Sequence, residues 1–122
     1  MIELRIYNNK IDIIPDAIEN LTNLKELHAA NNKITSIPAS ISNLNNLHRL
    51  DLRNNLISFL PESIGNLSSL RSLDLRENRL ISLPETILEL QNLEKLDLRL
   101  NKEFIAPIWL PELEKRNCII YY

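Results

Sequence analysis

With 122 residues, 44% of them hydrophobic, the chain can fill one domain with a moderate core but not a second. Fourteen Lys+Arg against sixteen Asp+Glu give a net charge of −2, so no global field draws it to nucleic acid or to an anionic membrane. Cys118 is the single cysteine, which excludes an internal disulfide and fits a reducing location such as the cytoplasm. The first ten residues, MIELRIYNNK, contain no uninterrupted apolar run of the kind a signal peptide needs, and no later run has membrane-spanning length. A soluble protein is expected.

A 23-residue period starts at Met1, Leu24, Leu47, Leu70 and Leu93, and it organises nearly every apolar residue. It divides the chain into units 1–23, 24–46, 47–69, 70–92 and 93–115, with residues 116–122 left as a C-terminal strand or cap. Position four holds Leu4, Leu27, Leu50, Leu73 and Leu96, and position six holds Ile6, Ala29, Leu52, Leu75 and Leu98. This alternation predicts a short strand at the start of each unit.

Next comes an asparagine without exception: Asn9, Asn32, Asn55, Asn78 and Asn101. An inward amide there can satisfy backbone groups that the bend strips from the strand ladder, each of which would cost about 1–3 kcal/mol if buried unpaired. Pro15, Pro38, Pro61, Pro84 and Pro107 follow where a helix can start without the missing N–H. Beyond them the apolar spacing changes to three and four, as in Leu60, Ile64, Leu67 and Leu70, which predicts a short helix or 3₁₀ segment. No unit can bury its apolar face without stacked neighbours.

Units such as LHRLDLRNNLISFLPESIGNLSS (47–69) and LRSLDLRENRLISLPETILELQN (70–92) resemble leucine-rich repeats of the 23-residue LPxxIxxLxxL kind. Repeats of this kind occur in cytosolic scaffolds such as Scribble and Erbin, in Ras-suppressor proteins, in plant intracellular Ras-group proteins, in Roco GTPases and in bacterial proteins. The resemblance implies an α/β repeat solenoid with a concave parallel sheet of five to six strands and short helices or 3₁₀ segments on the convex side. It also implies protein binding without catalysis by the repeat itself.

The fifth unit begins as LEKLDLRLN and then departs, reading KEFIAPIWLPELEKR. Pro111 is expected to cut its helical stretch, and Phe104, Ile105, Ile108 and Trp109 read as a C-terminal cap or, alternatively, as an apolar docking patch. RNCIIYY fits a sixth strand, with Ile119 and Tyr121 expected inward and Cys118, Ile120 and Tyr122 on the concave side. Open terminal strands make end-to-end homo-oligomerisation a further expectation.

The motif LDLR recurs at 50–53, 73–76 and 96–99, so Asp51, Asp74 and Asp97 form one column beside Arg53, Arg76 and Arg99. Carboxylates about 4.8 Å apart would repel by about 0.9 kcal/mol in water and about 3.5 kcal/mol at an effective dielectric of 20. Diagonal Arg53–Asp74 and Arg76–Asp97 bridges are the expected compensation. An arginine beside each aspartate opposes a general-acid role. Glycoside chemistry is therefore disfavoured. A nucleophilic Cys118 with His28 or His48 fails on strand separation, and no spacing of His, Cys and acidic residues points to a metal or other cofactor.

What remains is a non-catalytic interaction module that binds an unidentified protein or peptide through Arg49, Asp51, Arg53, Asp74, Arg76, Asp97 and Arg99. The alternative is a recognition domain of a larger regulator, or of a bacterial effector delivered into a host cytosol, with catalysis outside this chain; the length of the gene distinguishes the two. An idealised scaffold without a partner is disfavoured by the irregular fifth unit. A concave sheet of this size covers about 400 Å² in projection, against about 800 Å² per partner in a standard interface. The partner is therefore expected to be peptide-sized or weakly held.

Overall fold

Each unit opens with three extended residues whose central apolar side chain points into the core while its two neighbours face the opposite side. In the computed structural model, which describes all 122 residues, these strands form one parallel sheet in chain order. They are β1 (Glu3–Arg5), β2 (Glu26–His28), β3 (Arg49–Asp51), β4 (Ser72–Asp74), β5 (Lys95–Asp97) and β6 (Ile119–Tyr121). Leu4, Leu27, Leu50, Leu73 and Leu96 pair laterally through the stack, so the repeat period is also the sheet register.

On the convex side the chain forms 3₁₀ turns at Asp16–Asn20, Ala39–Asn43, Glu62–Asn66 and Glu85–Glu89. The proline before each turn stays extended, and its carbonyl accepts the first i+3 hydrogen bond, as Pro61 does from Ile64 N–H at 3.0 Å. A 3₁₀ turn stacks side chains three apart. That geometry sends Ile41 with Leu44, Ile64 with Leu67 and Ile87 with Leu90 into the same core. Gly65 is needed where two such turns touch: a Cβ there would sit 2.7 Å from Thr86 Cβ and closer still to the Thr86 carbonyl oxygen. The contact leaves the Thr86 hydroxyl buried without a partner, whereas Ser63 at the equivalent position donates to Ala39 O at 2.9 Å.

Asparagine joins one repeat to the next. Asn55 Nδ2 donates to Leu52 O in its own repeat at 2.9 Å and to Ala29 O in the preceding one at 3.0 Å, while its Oδ1 accepts Ile34 N–H at 3.1 Å. Asn32, Asn78 and Asn101 repeat the arrangement. Asn9, in the first repeat, reaches only Ile6 O and Tyr7 O with its amide. The residue before each of these asparagines is left-handed, with φ of 58° at Asn8, 59° at Asn31, 54° at Asn54, 54° at Glu77 and 64° at Leu100. Asparagine tolerates that region, so the strain falls on Glu77 and Leu100.

The carboxy-terminal end departs from expectation in two ways. Lys95 pairs with Ile119, one residue beyond the 23-residue period, so Ile120 lies in the inward column and Ile119 and Tyr121 face the concave side. This reverses the sequence assignment, because a shift of one residue exchanges the two faces of a strand. Cys118 is likewise buried in the core instead of facing the concave side. Pro111 does not cut a helix but begins one, the short α1 (Pro111–Glu114), where the first turn needs no proline N–H. Leu110, Leu113 and Cys118 close the core, with Phe104 and Trp109 half-buried against it, whereas Ile105 and Ile108 are 72% and 99% exposed. The segment thus caps the core and also displays two isoleucines. The amino-terminal end has no such cover, and Leu4, Ile6, Ile11, Ile13 and Ile18 line an apolar cleft of about 440 Å³. No helix is long and apolar enough to cross a membrane.

The asparagine geometry sets a measurable contrast. Asn55→Ala orphans several buried backbone groups and is expected to lower the unfolding free energy by about 3 kcal/mol. Asn9→Ala, at the exposed end, is expected to cost less than about 1 kcal/mol. Urea denaturation of the two variants decides it, and equal losses would contradict the inter-repeat role.

Candidate functional site

The concave face is built by the alternate residues of the six strands that do not enter the core. Its ionic character divides along the stack. On β4 and β5 the charges neutralise one another within each strand: Arg76 Nη2 lies 2.6 Å from Asp74 Oδ2, and Arg99 Nη2 lies 2.6 Å from Asp97 Oδ2. Of the two diagonal bridges expected from sequence, Arg76–Asp97 forms at 3.3 Å and Arg53–Asp74 does not. Residues two apart on a strand face the same way, so Arg76 and Arg99 can each fold back onto the aspartate of their own repeat.

Each aspartate also accepts the backbone N–H two residues on, Arg53 to Asp51 at 3.1 Å, Arg76 to Asp74 at 3.1 Å and Arg99 to Asp97 at 3.2 Å. The LDLR aspartate therefore closes the strand's last amide as well as balancing charge. The Asp74 hydrogen bond raises the Arg76 guanidinium pKa, which keeps it charged.

Asp97 is fully buried, so it contacts no partner directly. Tyr121 is its register partner on β6, and the tyrosine ring carries Arg99 at 4.8 Å and Lys95 at 5.6 Å from its centre. Tyr121 escaped the sequence reading because the extra residue in the fifth unit placed it in the wrong column. Burial pushes the Asp97 carboxyl up, but hydrogen bonds from the Arg99 side chain and backbone, with the charges of Arg99 and Arg76, hold it below the usual carboxylate range.

The amino-terminal half is different. Arg49 and Arg53 have no carboxylate within 4.0 Å. Where later repeats carry Arg76 and Arg99, the second carries Ala30, which opens a recess of about 240 Å³ bounded by Tyr7, His28, Asp51, Arg53 and the amides of Asn8 and Asn31. Those amides form a chain, Asn31 Nδ2 to Asn8 Oδ1 at 2.6 Å and Asn54 Nδ2 to Asn31 Oδ1 at 2.9 Å. Beside the recess, Glu3, Glu26 and His28 converge, a grouping that sequence spacing did not suggest. The only signal for it was that Glu3 and Glu26 share one position of the repeat, with His28 two residues further on. Burial raises the Cys118 thiol pKa, which favours its protonated form.

A one-sheet parallel solenoid with an asparagine joint between coils and an open, charged concave face defines a class of repeat protein. The leucine-rich repeat family profile matches residues 22–80 and 45–102, and a second leucine-rich repeat profile matches residues 1–21. The chain belongs to the leucine-rich repeat family, whose domains are typically protein–protein interaction modules and generally non-catalytic. No curated protein matches it in sequence.

Among solved structures it is similar to an LRR protein of Leptospira interrogans, at 37% identity and a TM-score of 0.86, covering 98% of this chain and 30% of that one. An internalin of Listeria monocytogenes is similar at 26% identity and a TM-score of 0.73, covering 94% of this chain and 32% of that one. The LRR ectodomain of an Arabidopsis thaliana receptor kinase is similar at 29% identity and a TM-score of 0.77, covering 97% of this chain and 66% of that one. The chain thus spans about a third of the length of the two bacterial proteins.

The state of Asp97 gives a pH test. A carboxyl held low in the folded chain contributes stability above its unfolded pKa and loses it as pH falls through the folded value. Thermal melts of the native protein are therefore expected to fall below about pH 4. Asp97→Asn is expected to be less stable at pH 7 and to show a shallower acid limb. An unchanged limb would remove Asp97 as its source.

Proposed function

We propose that the chain binds a protein or peptide on its concave face, and that the anchoring contact is made by Arg53 over the recess above Ala30, with Arg49 four residues earlier on the same face. One observation carries this reading: Arg53 is the only arginine of the LDLR column with no carboxylate partner, and it borders an open recess. Arg76 and Arg99 are already held by aspartates, so a partner would have to break existing pairs to use them. The chemistry that fits is an acidic side chain or a chain-terminal carboxylate, which a free guanidinium receives through two parallel hydrogen bonds. Asp51, Tyr7 and the Asn8–Asn31 amides would then orient the peptide backbone around the anchor.

A second association is favoured by the uncovered amino-terminal end. The outer edge of β1 is unpaired, and the apolar cleft beside it has the composition of the interior between stacked repeats. A second copy of the chain fits it best, the two β1 edges meeting antiparallel about a twofold axis, because a contact of that symmetry closes at two chains.

Capture from the native cell tests the first reading. Arg53→Glu is expected to reduce the captured partner by at least about tenfold, equivalent to about 1.4 kcal/mol, while Ile108→Ser at the capped end retains it. Retention by Arg53→Glu, or loss through Ile108→Ser, would overturn the assignment. For the second, sedimentation at rising concentration is expected to show a dimer that Ile13→Glu abolishes; a monomer throughout would sink it.

A further inference from the structure

The convergence of Glu3, Glu26 and His28 on one point of the sheet is not explained by a protein or peptide ligand at Arg53. Glu3 and Glu26 are register partners on neighbouring strands, and His28 lies two residues along β2 on the same face. His28 Nε2 stands 2.9 Å from Glu26 Oε1 and 3.1 Å from Glu3 Oε1, and all three atoms lie within 4.8 Å of one another. Like charges directly opposite across strands destabilise a sheet, yet both carboxylates turn toward a single ring nitrogen that carries at most one proton. One ring nitrogen thus faces two carboxylate oxygens, Glu26 Oε1 at hydrogen-bond distance and Glu3 Oε1 slightly farther.

We propose that these three side chains bind a divalent transition-metal ion of the zinc class. Zinc bonds to His nitrogen and carboxylate oxygen are about 2.0–2.2 Å long, which in a tetrahedron places ligand atoms roughly 3.3 Å apart. The His28–Glu26 and His28–Glu3 separations are a few tenths of an ångström short of this, so a small outward rotation of each carboxylate admits the ion. The imidazole selects borderline ions over magnesium and calcium, which prefer oxygen alone. His28 is mostly enclosed, with 17% of its side chain exposed, so its ring direction is held by packing. The Glu3 and Glu26 side chains are 35% and 41% exposed, so the remaining coordination position is open to water.

Arg5 is the cation in direct contact with the cluster, and Arg49 stands opposite Glu26 in the register. Its Nε lies 2.7 Å from Glu3 Oε1, the same oxygen that faces His28, and that contact holds the Glu3 carboxyl below its ordinary range. The Arg5 side chain is 63% exposed, so it can leave the oxygen without moving the backbone. Binding therefore exchanges a mobile guanidinium for an ion that serves all three groups. The site stands on β1 and β2 alone and does not depend on a partner at Arg53.

Calorimetric titration of tag-free protein with zinc chloride, and in parallel with magnesium chloride, tests it. One equivalent of zinc and no magnesium binding is expected. His28→Gln and Glu26→Gln should each weaken zinc binding by at least about tenfold, and His48→Gln, which removes the only other imidazole, should leave it unchanged. Arg5→Gln should tighten it, an effect that a purely structural ion-pair cluster would not produce. Circular dichroism confirms that each variant is folded. Absence of one-to-one zinc binding, equal binding by His28→Gln, or unchanged or weaker binding by Arg5→Gln overturns the site.

Discussion

Every coil of this solenoid depends on a buried amide that closes two repeats at once. Where the chain leaves the sheet, carbonyls of its own coil and of the preceding coil point into a space that water does not reach. Asn32, Asn55, Asn78 and Asn101 fill it, each donating to both coils and accepting an N–H from the earlier one. Side chains that could only donate, or only accept, would leave part of the set unmet. The leucine and isoleucine columns then stack without further specification, since each asparagine fixes the translation from one coil to the next.

That joint also explains why the ends matter. A coil with no neighbour leaves half of its bonding and packing unfulfilled. The carboxy-terminal end answers with α1, Leu110, Leu113 and Cys118, which seal the last repeat. The amino-terminal end leaves Asn9 bonded only to its own coil and its isoleucines lining a cleft. The first and last coils are thus chemically distinct, one lining an apolar cleft and the other sealed.

On the concave face, self-neutralisation and availability run in opposite directions. Tyr121, Arg99, Arg76, Asp74 and Asp97 form a closed network whose members already have partners, one of them fully buried. The second repeat breaks the pattern with His28 and Ala30 where its successors have Asp and Arg, and that interruption opens the recess that the unpaired Arg53 borders. The informative residues are therefore those that break the repeat.

The solenoid, its parallel sheet, the asparagine positions and the leucine core were legible in the sequence because a strict period turns each local choice into a column. A 23-residue register places Leu4 beside Leu27 and Asp51 beside Asp74 before any coordinate is known. The sequence could not reveal where the period slips. One additional residue in the fifth unit exchanged the faces of β6, buried Cys118 and laid Tyr121 over Asp97. Nor could it tell which arginine of a repeated column would fold onto its own aspartate, or that Glu3, Glu26 and His28 would meet at one point. Periodicity fixes backbone register, which is a property of the chain; side-chain pairing and strand facing depend on distances of a few ångströms that only the packed structure sets.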